Sequence, residues 1–299
     1  MLVAQSKEWT KGSSMPKALS EMASALIEDN IYVAGGITFW GSKRNFSVYN
    51  IPNDQWTVLP QLPKRLNHIG MTAYNGKIYI TGGFRDLFQT KTLATTWSYN
   101  PENQEWLKLA PMPEKRAAHS MITIDDKLYV IGGKGPKANE IWTYLPQENR
   151  WVVELPNFPE PQRDHLCLLY QKDKLYVVGG RSKEEGALKP CWLYNFNTQK
   201  WKIFTQLEIP SGGQAATLYN NKIHIIGGED LPTNSIQDRQ DIYDLETKKW
   251  SVTESKPTPK HGMVSQQYNG KWYVVGGATK ANIGTVMSLS DLVEIYSFE

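Results

Sequence analysis

Several things are scarce in this chain of 299 residues, and each scarcity excludes a class of protein. Cysteine occurs twice, at Cys167 and Cys191. One disulfide is conceivable, but two thiols in a chain this long are no disulfide framework. No apolar run approaches the ~20 residues of a membrane-spanning helix. The N-terminal "MLVAQSKEWTKGSS" has no charged segment followed by an apolar one, so it does not read as a signal peptide. The expected compartment is therefore the cytoplasm, or the exterior if a signal peptide has been removed. Charge of one sign is also lacking. The formal net charge is +3 and there is no basic run, which argues against nucleic acid as a partner.

Catalytic signatures are equally sparse. There is no Gly-x-Ser-x-Gly, no His-Glu-x-x-His, no phosphate-binding Walker loop, and no Ser-x-Asp-x-Gly-x-x-x-Trp box. The adjacent Glu184-Glu185 reads as a solvated loop, because paired catalytic carboxylates must face one substrate bond.

What is abundant is glycine (23), proline (17), tyrosine (15) and tryptophan (11), the composition of short strands with many turns. Glycine pairs fall at 35–36, 82–83, 132–133, 179–180, 227–228 and 276–277, with first members spaced 47, 50, 47, 48 and 49 apart. Each pair ends an apolar run: "NIYVAGG", "KIYITGG", "KLYVIGG", "KLYVVGG", "KIHIIGG" and "KWYVVGG". These runs do not alternate, so both faces of the strand are expected to be buried. A tyrosine strand, a turn and a tryptophan follow, as in "SYNPENQEW" and "TYLPQENRW". Each repeat thus supplies four strands, and six such sheets buried on both faces suit an all-β, six-bladed β-propeller. The glycine pair answers either a steric clash or a need for positive φ. The tryptophan offers a flat surface between blades.

The ends complete the pattern. The sixth repeat stops at "VEIYSFE" without its tryptophan strand, while "KEWTKG" near the start is unclaimed. Trp9 is therefore expected to supply the outer strand of blade six, sealing the ring. One domain is predicted over 1–299, with repeats of roughly 16–60, 63–110, 113–156, 159–207, 210–255, and 257–298 joined by 6–14.

Strand, glycine pair, tyrosine strand and tryptophan at this spacing resemble the kelch repeat, six times over and across the whole chain. In blade five His224 replaces the strand tyrosine, and the blade opens "PSGGQAA" in place of a basic start.

The start of each first strand and the loop after each glycine pair are expected on one face, around the channel mouth. Counting back from the strand tyrosine places Glu21, His68, His119, His165, Gln214 and His261 at one repeat position, within one residue. Before them stand Arg65, Arg116, Arg163 and Lys260. The loops add Arg85, Lys134, Arg181 and, in blade five, Glu229 and Asp230. This reads as a basic mouth for an anion, with arginine forks matching carboxylate or phosphate and histidines tuning the attraction near neutral pH. No metal is expected: sheets ~10 Å apart, less near the axis, would keep equivalent residues of four blades from one ion, and at most two neighbours could share one. No cofactor is expected either. The longest loops, 84–95, 229–240 and 278–290, should rise around the mouth.

The resemblance implies a non-enzymatic module that binds a partner protein or acidic peptide at this face. In one major branch of the family, such propellers are substrate receptors of ubiquitin-ligase adaptors and grasp acidic segments with arginines. A second branch of free-standing six-bladed propellers acts as sialic-acid mutarotases. There a basic pocket would hold the sugar carboxylate, and Glu21, Glu229 or a ring histidine would shuttle the anomeric proton. A monomer is expected.

Overall fold

The structure is a computed structural model that describes residues 9–160, 162–253 and 257–298. Six antiparallel sheets of four main strands each form the blades of a β-propeller, and in blade one the short strand Gly41–Ser42 pairs as a fifth. Blade one runs Ser20–Ile27, Asn30–Thr38, Phe46–Asn50 and Gln55–Val58 from axis to rim. Blade two runs Gly70–Tyr74, Lys77–Thr81, Thr96–Asn100 and Glu105–Leu109, and blade three Ser120–Ile124, Lys127–Ile131, Trp142–Leu145 and Arg150–Val152. Blade four runs Cys167–Gln171, Lys174–Val178, Pro190–Asn195 and Lys200–Gln206, and blade five Ala215–Tyr219, Lys222–Ile226, Gln240–Asp244 and Lys249–Thr253.

Blade six contains Val264–Tyr268, Lys271–Val275 and Val293–Ser297, and its outer strand is Trp9–Gly12, with Trp9 opposite Tyr296. The closure expected from the two ends is therefore present. Residues 6–8 of that expected segment lie outside the described residues.

The glycine pairs serve the joints between blades. Gly82 and Gly132 both take φ near +70° or below. A Cβ on Gly82 would lie 2.1 Å from the Arg116 carbonyl, and one on Gly132 2.4 Å from that of Arg163. The next glycine then donates its N–H to the same carbonyl, Gly83 to Arg116 at 2.9 Å and Gly133 to Arg163 at 2.7 Å. Clash and positive φ, the two reasons anticipated, operate together.

The tryptophans stitch the rim. In blade three Trp151 packs on Tyr144 of the third strand at 5.0 Å between centroids. Its indole N–H donates to the Ala110 carbonyl of blade two at 2.9 Å. Apolar clusters lie between blades. One joins Ala34 and Phe46 of blade one to Ile69, Ile78 and Tyr99 of blade two. Such interfaces hold the wheel together, because a buried large side chain contributes roughly 3–5 kcal/mol.

Among the described residues, no helix is long and apolar enough to cross a membrane. Cys167 and Cys191 are free thiols, pushed by burial to about 12 and about 11.

Candidate functional site at the channel mouth

The first strands of all six blades line an axial channel of about 660 Å³. At its loop end the backbone closes a hydrogen-bonded ring. The N–H of His68 donates to Glu21, Ala118 to His68, His165 to Ala118, Gly213 to His165, Gly262 to Gly213, and Glu21 to Gly262, all at 2.8–3.1 Å. All six residues have positive φ, between 52° and 70°. The structural repeat position is thus Glu21, His68, Ala118, His165, Gly213 and Gly262.

Three of the six residues aligned from the sequence hold this position. His119 and Gln214 stand one residue later, and His261 one residue earlier. The consequences are large, because the positive-φ bend at the ring sends neighbouring side chains in different directions. His119 turns into the joint with blade two, where its Nε2 lies 2.8 Å from Thr81 Oγ1. Gln214 likewise bonds the Val178 carbonyl of blade four at 2.9 Å. His119 is wholly enclosed, and burial pushes its pKa down to about 3.

The arginine expectation needs the same correction. Arg116 is fully buried. Its guanidinium donates to the carbonyls of Glu140 (2.9 Å) and Lys137 (2.6 Å) and lies 3.4 Å from the Trp142 ring centroid. Arg163, also fully buried, donates to the Pro190 carbonyl at 2.7 Å and to Glu160 at 3.0 Å. Lys260 pairs with Glu294 at 2.6 Å inside blade six. In blades three, four and six these cations tie the loop face to the third strand or to the loop that leads into it, and they are not presented to an anion. Arg65 and Arg85 are exposed, and Lys134 is half-buried.

At the axis, charges of both signs meet. Glu21 Oε2 lies 3.2 Å from His68 Nε2 and 3.5 Å from His165 Nε2, and its Oε1 is 3.8 Å from His261 Nδ1. His68 and His165, from blades two and four, stand 4.9 Å apart between ring centroids, so these side chains bridge the channel. Asn67 Oδ1 holds His68 Nδ1 at 2.5 Å, and Asp164 holds His165 Nδ1. Arg181 reaches Asp164 (3.0 Å), Glu229 (2.5 Å) and His165 Nε2 (3.2 Å). Glu229 also faces His261 at 3.5 Å, and Lys134 faces Asp164 at 3.7 Å.

Burial works to raise the Glu21 carboxyl, but His68, His165 and His261 hold it well below the usual carboxylate range. Burial carries His68 down to about 3 against the pull of Glu21. For His165, burial and Arg181 lower the pKa, yet Asp164 and Glu21 outweigh them and raise it. Three carboxylates, Glu21, Asp164 and Glu229, thus face two cations, Arg181 and Lys134. The mouth at the axis is a buried, nearly neutral plug, in place of the basic funnel expected. Side chains converge here from three blades, one more than the distance argument allowed. The ligand-capable atoms of Glu21, His68 and His165 all lie within 4.8 Å of one another, because side chains of the innermost strands reach across the axis.

The basic surface lies off the axis. A groove of about 260 Å³ on blade one is lined by Lys17, Lys43, Arg44 and Arg65, with Ser42, Asn45, Phe46, Val58, Leu59 and Gln61 and, among the described residues, no carboxylate. Burial, then Lys17 and Arg65, lower the Lys43 pKa, which places these cations in one field. The hairpin that leads into Lys43 and Arg44 carries Phe39 and Trp40 at its tip, 55% and 81% exposed. Farther around the same face, exposed Phe88 crowns the blade-two loop, and exposed Ile283 and Met287 lie on the blade-six loop. Sequence reasoning missed Lys17, Lys43, Arg44 and these apolar crests. "TFWG", an aromatic pair directly beyond a glycine pair, was the available signal.

Comparisons with known proteins agree on the architecture. The family described as Attractin/LZTR1 beta-propeller matches residues 86–296, and the KLHDC2/KLHL20/DRC7 Kelch-repeats domain matches residues 1–133. Human Kelch-like protein 23 is 26% identical over 109 residues, 36% of this chain and 19% of that protein. Kelch-like protein 36 of Rattus norvegicus is 31% identical over 99 residues, 33% of this chain and 16% of that protein. Beta-scruin of Limulus polyphemus is 26% identical over 99 residues, 31% of this chain and 11% of that protein. Each match takes in less than a fifth of the relative's own length. The solved structure of YjhT superposes with a TM-score of 0.80 at 16% identity, over 95% of this chain and 99% of that one.

Proposed function

The chain belongs to the kelch-repeat β-propellers, and from that premise we propose that it is a non-enzymatic binding module for an acidic, partly apolar protein segment. The observation that carries this reading is the groove with four cations and no carboxylate among the described residues, beside the exposed Phe39–Trp40 hairpin. Lysines and arginines supply charge complementarity and fast encounter, while an exposed tryptophan is the kind of anchor that dominates interface energy. The partner reads a sector of the loop face over blades six, one and two, off the axis. Arg65 and Arg85 keep the role expected of them, whereas Arg116 and Arg163 support the scaffold. Service as a substrate receptor for a ubiquitin ligase is the form this reading takes in the kelch-like adaptor branch.

The test is capture of proteins from lysate by immobilised chain, compared among variants. Lys17→Glu with Arg65→Glu, and separately Trp40→Ser, are expected to lose at least ~10-fold of the bound partner, as a hot-spot contact would. Gln267→Ala, on a channel-lining strand, should retain it. Undiminished capture by the charge-reversed and Trp40→Ser variants would overturn the reading.

A second reading, a sugar-acid isomerase, draws on Glu21 clasped by two histidines at the channel end. Its check is anomer exchange of freshly dissolved sialic acid by NMR, with Glu21→Gln as the comparison. Exchange no faster than in buffer removes it.

A further inference from the structure

Apart from any partner at the loop face, we propose that Glu21, His68 and His165 form a binding site for one divalent transition-metal ion of the zinc class. The three residues share the ring position, and positive φ turns each first strand there, so that side chains of blades one, two and four meet over the channel. The separations suit coordination. Glu21 Oε2 is 3.2 Å and 3.5 Å from the two Nε2 atoms. Ligands at about 2.1 Å from an ion stand roughly 3.4 Å apart in a tetrahedron and roughly 3.0 Å apart on an octahedral face. The two imidazoles, whose ligand atoms lie within 4.8 Å of each other, would close on the ion by side-chain adjustments on the order of 1 Å.

The surroundings match those of imidazole ligands in metalloproteins, where the second ring nitrogen is held by a carboxylate or carbonyl oxygen. His68 Nδ1 meets Asn67 Oδ1 at 2.5 Å, and Asn67 is itself fixed by Ser42 Oγ at 2.7 Å and the Asp86 carbonyl at 3.2 Å. His165 Nδ1 meets Asp164, which Arg181 braces at 3.0 Å. Both Nε2 atoms are thereby left aimed at the same carboxylate. Two imidazoles and one carboxylate select zinc, iron, cobalt, nickel or copper over calcium and magnesium, which prefer all-oxygen shells. The channel offers an entry path and room for water at the open positions.

Arg181 is the competitor. Its Nη2 lies 3.2 Å from His165 Nε2. A bound ion displaces that one contact, and the guanidinium keeps Asp164 and Glu229. The three carboxylates Glu21, Asp164 and Glu229 outnumber the cations Arg181 and Lys134 by one, and a bound ion would meet that excess.

The experiment uses the full chain, dialysed against EDTA and titrated with ZnCl2 by calorimetry and with CoCl2 by visible absorption. The expected result is one ion per chain, a cobalt spectrum unlike that of the aquo ion, and a zinc-dependent rise in Tm. His68→Gln and His165→Gln should each weaken binding by at least ~10–100-fold, the loss that removing even a hydrogen-bond partner of a metal ligand brings. His119→Gln, a buried histidine outside the cluster, should bind as wild type. Circular dichroism and Tm without metal establish that each variant is folded. If either ligand variant is unfolded, Glu21→Gln takes its place. Absence of a single-equivalent site in the wild type would overturn the proposal, and so would binding that survives both histidine changes.

Discussion

Arg65 in blade two and Arg116 in blade three occupy almost the same place in their repeats, yet one faces water and the other is wholly buried. Counted from the backbone ring, Arg116, Arg163 and Lys260 stand two residues before Ala118, His165 and Gly262, whereas Arg65 stands three before His68. The residue two before His68 is Leu66, and in blades one and five the same place is held by Leu19 and Ser211. All six are buried. A cation at that place must find acceptors inside its blade. Blades three, four and six supply them through the Glu140 and Lys137 carbonyls, Glu160 with the Pro190 carbonyl, and Glu294. One residue earlier, the side chain points out and is free for recognition. Repeat position is therefore a guide to function only when it is right to the residue.

Three experiments would break or sharpen this contrast. The largest effect is expected from Lys260→Met, which leaves Glu294 buried opposite no cation and should cost about 3–5 kcal/mol of stability in urea unfolding. Adding Glu294→Leu should recover most of that loss, because a buried ion pair replaced whole by apolar groups is close to neutral. A loss below about 1 kcal/mol for Lys260→Met alone would mean that the lysine is not committed to its blade.

A smaller effect concerns pH. His119 is buried neutral, with its pKa down at about 3 from an ordinary 6.5. Between those values the unfolded chain binds the proton and the folded chain does not, so stability rises with pH across this window and falls on acidification. His119→Gln should flatten the dependence of Tm on pH between about 4 and 6.5 relative to wild type. An unchanged slope would show that the ring is protonated in the fold.

The smallest effect is Arg65→Ala, expected within about 0.5 kcal/mol of wild-type stability, since exposed side chains away from structural features contribute little. A loss comparable to that of Lys260→Met would place Arg65 with the buried cations and remove it from the binding groove.

Much of the wheel was legible in the chain. The glycine pairs, the unbroken apolar strands, the Tyr–Trp spacing and the orphan Trp9 strand each answer a local demand that recurs six times. Less of the site was readable. Glu21, His68 and His165 were picked out correctly as ring residues. His119, Gln214 and His261 stand one residue off the ring, within the one-residue tolerance of the alignment, because the chain bends there and strand periodicity no longer counts. The groove of Lys17, Lys43, Arg44 and Arg65 draws on two segments of blade one and the start of blade two, which no single motif spans.

The sequence by itself determined that six like sheets stack radially and seal end to end, because steric need at the glycines and burial on both strand faces leave a permanent mark in residue type. The tertiary structure alone decided which cations meet water and which atoms meet at the axis. Those outcomes depend on where a side chain points after a bend and on distances between blades one, two and four, quantities that chain position does not encode.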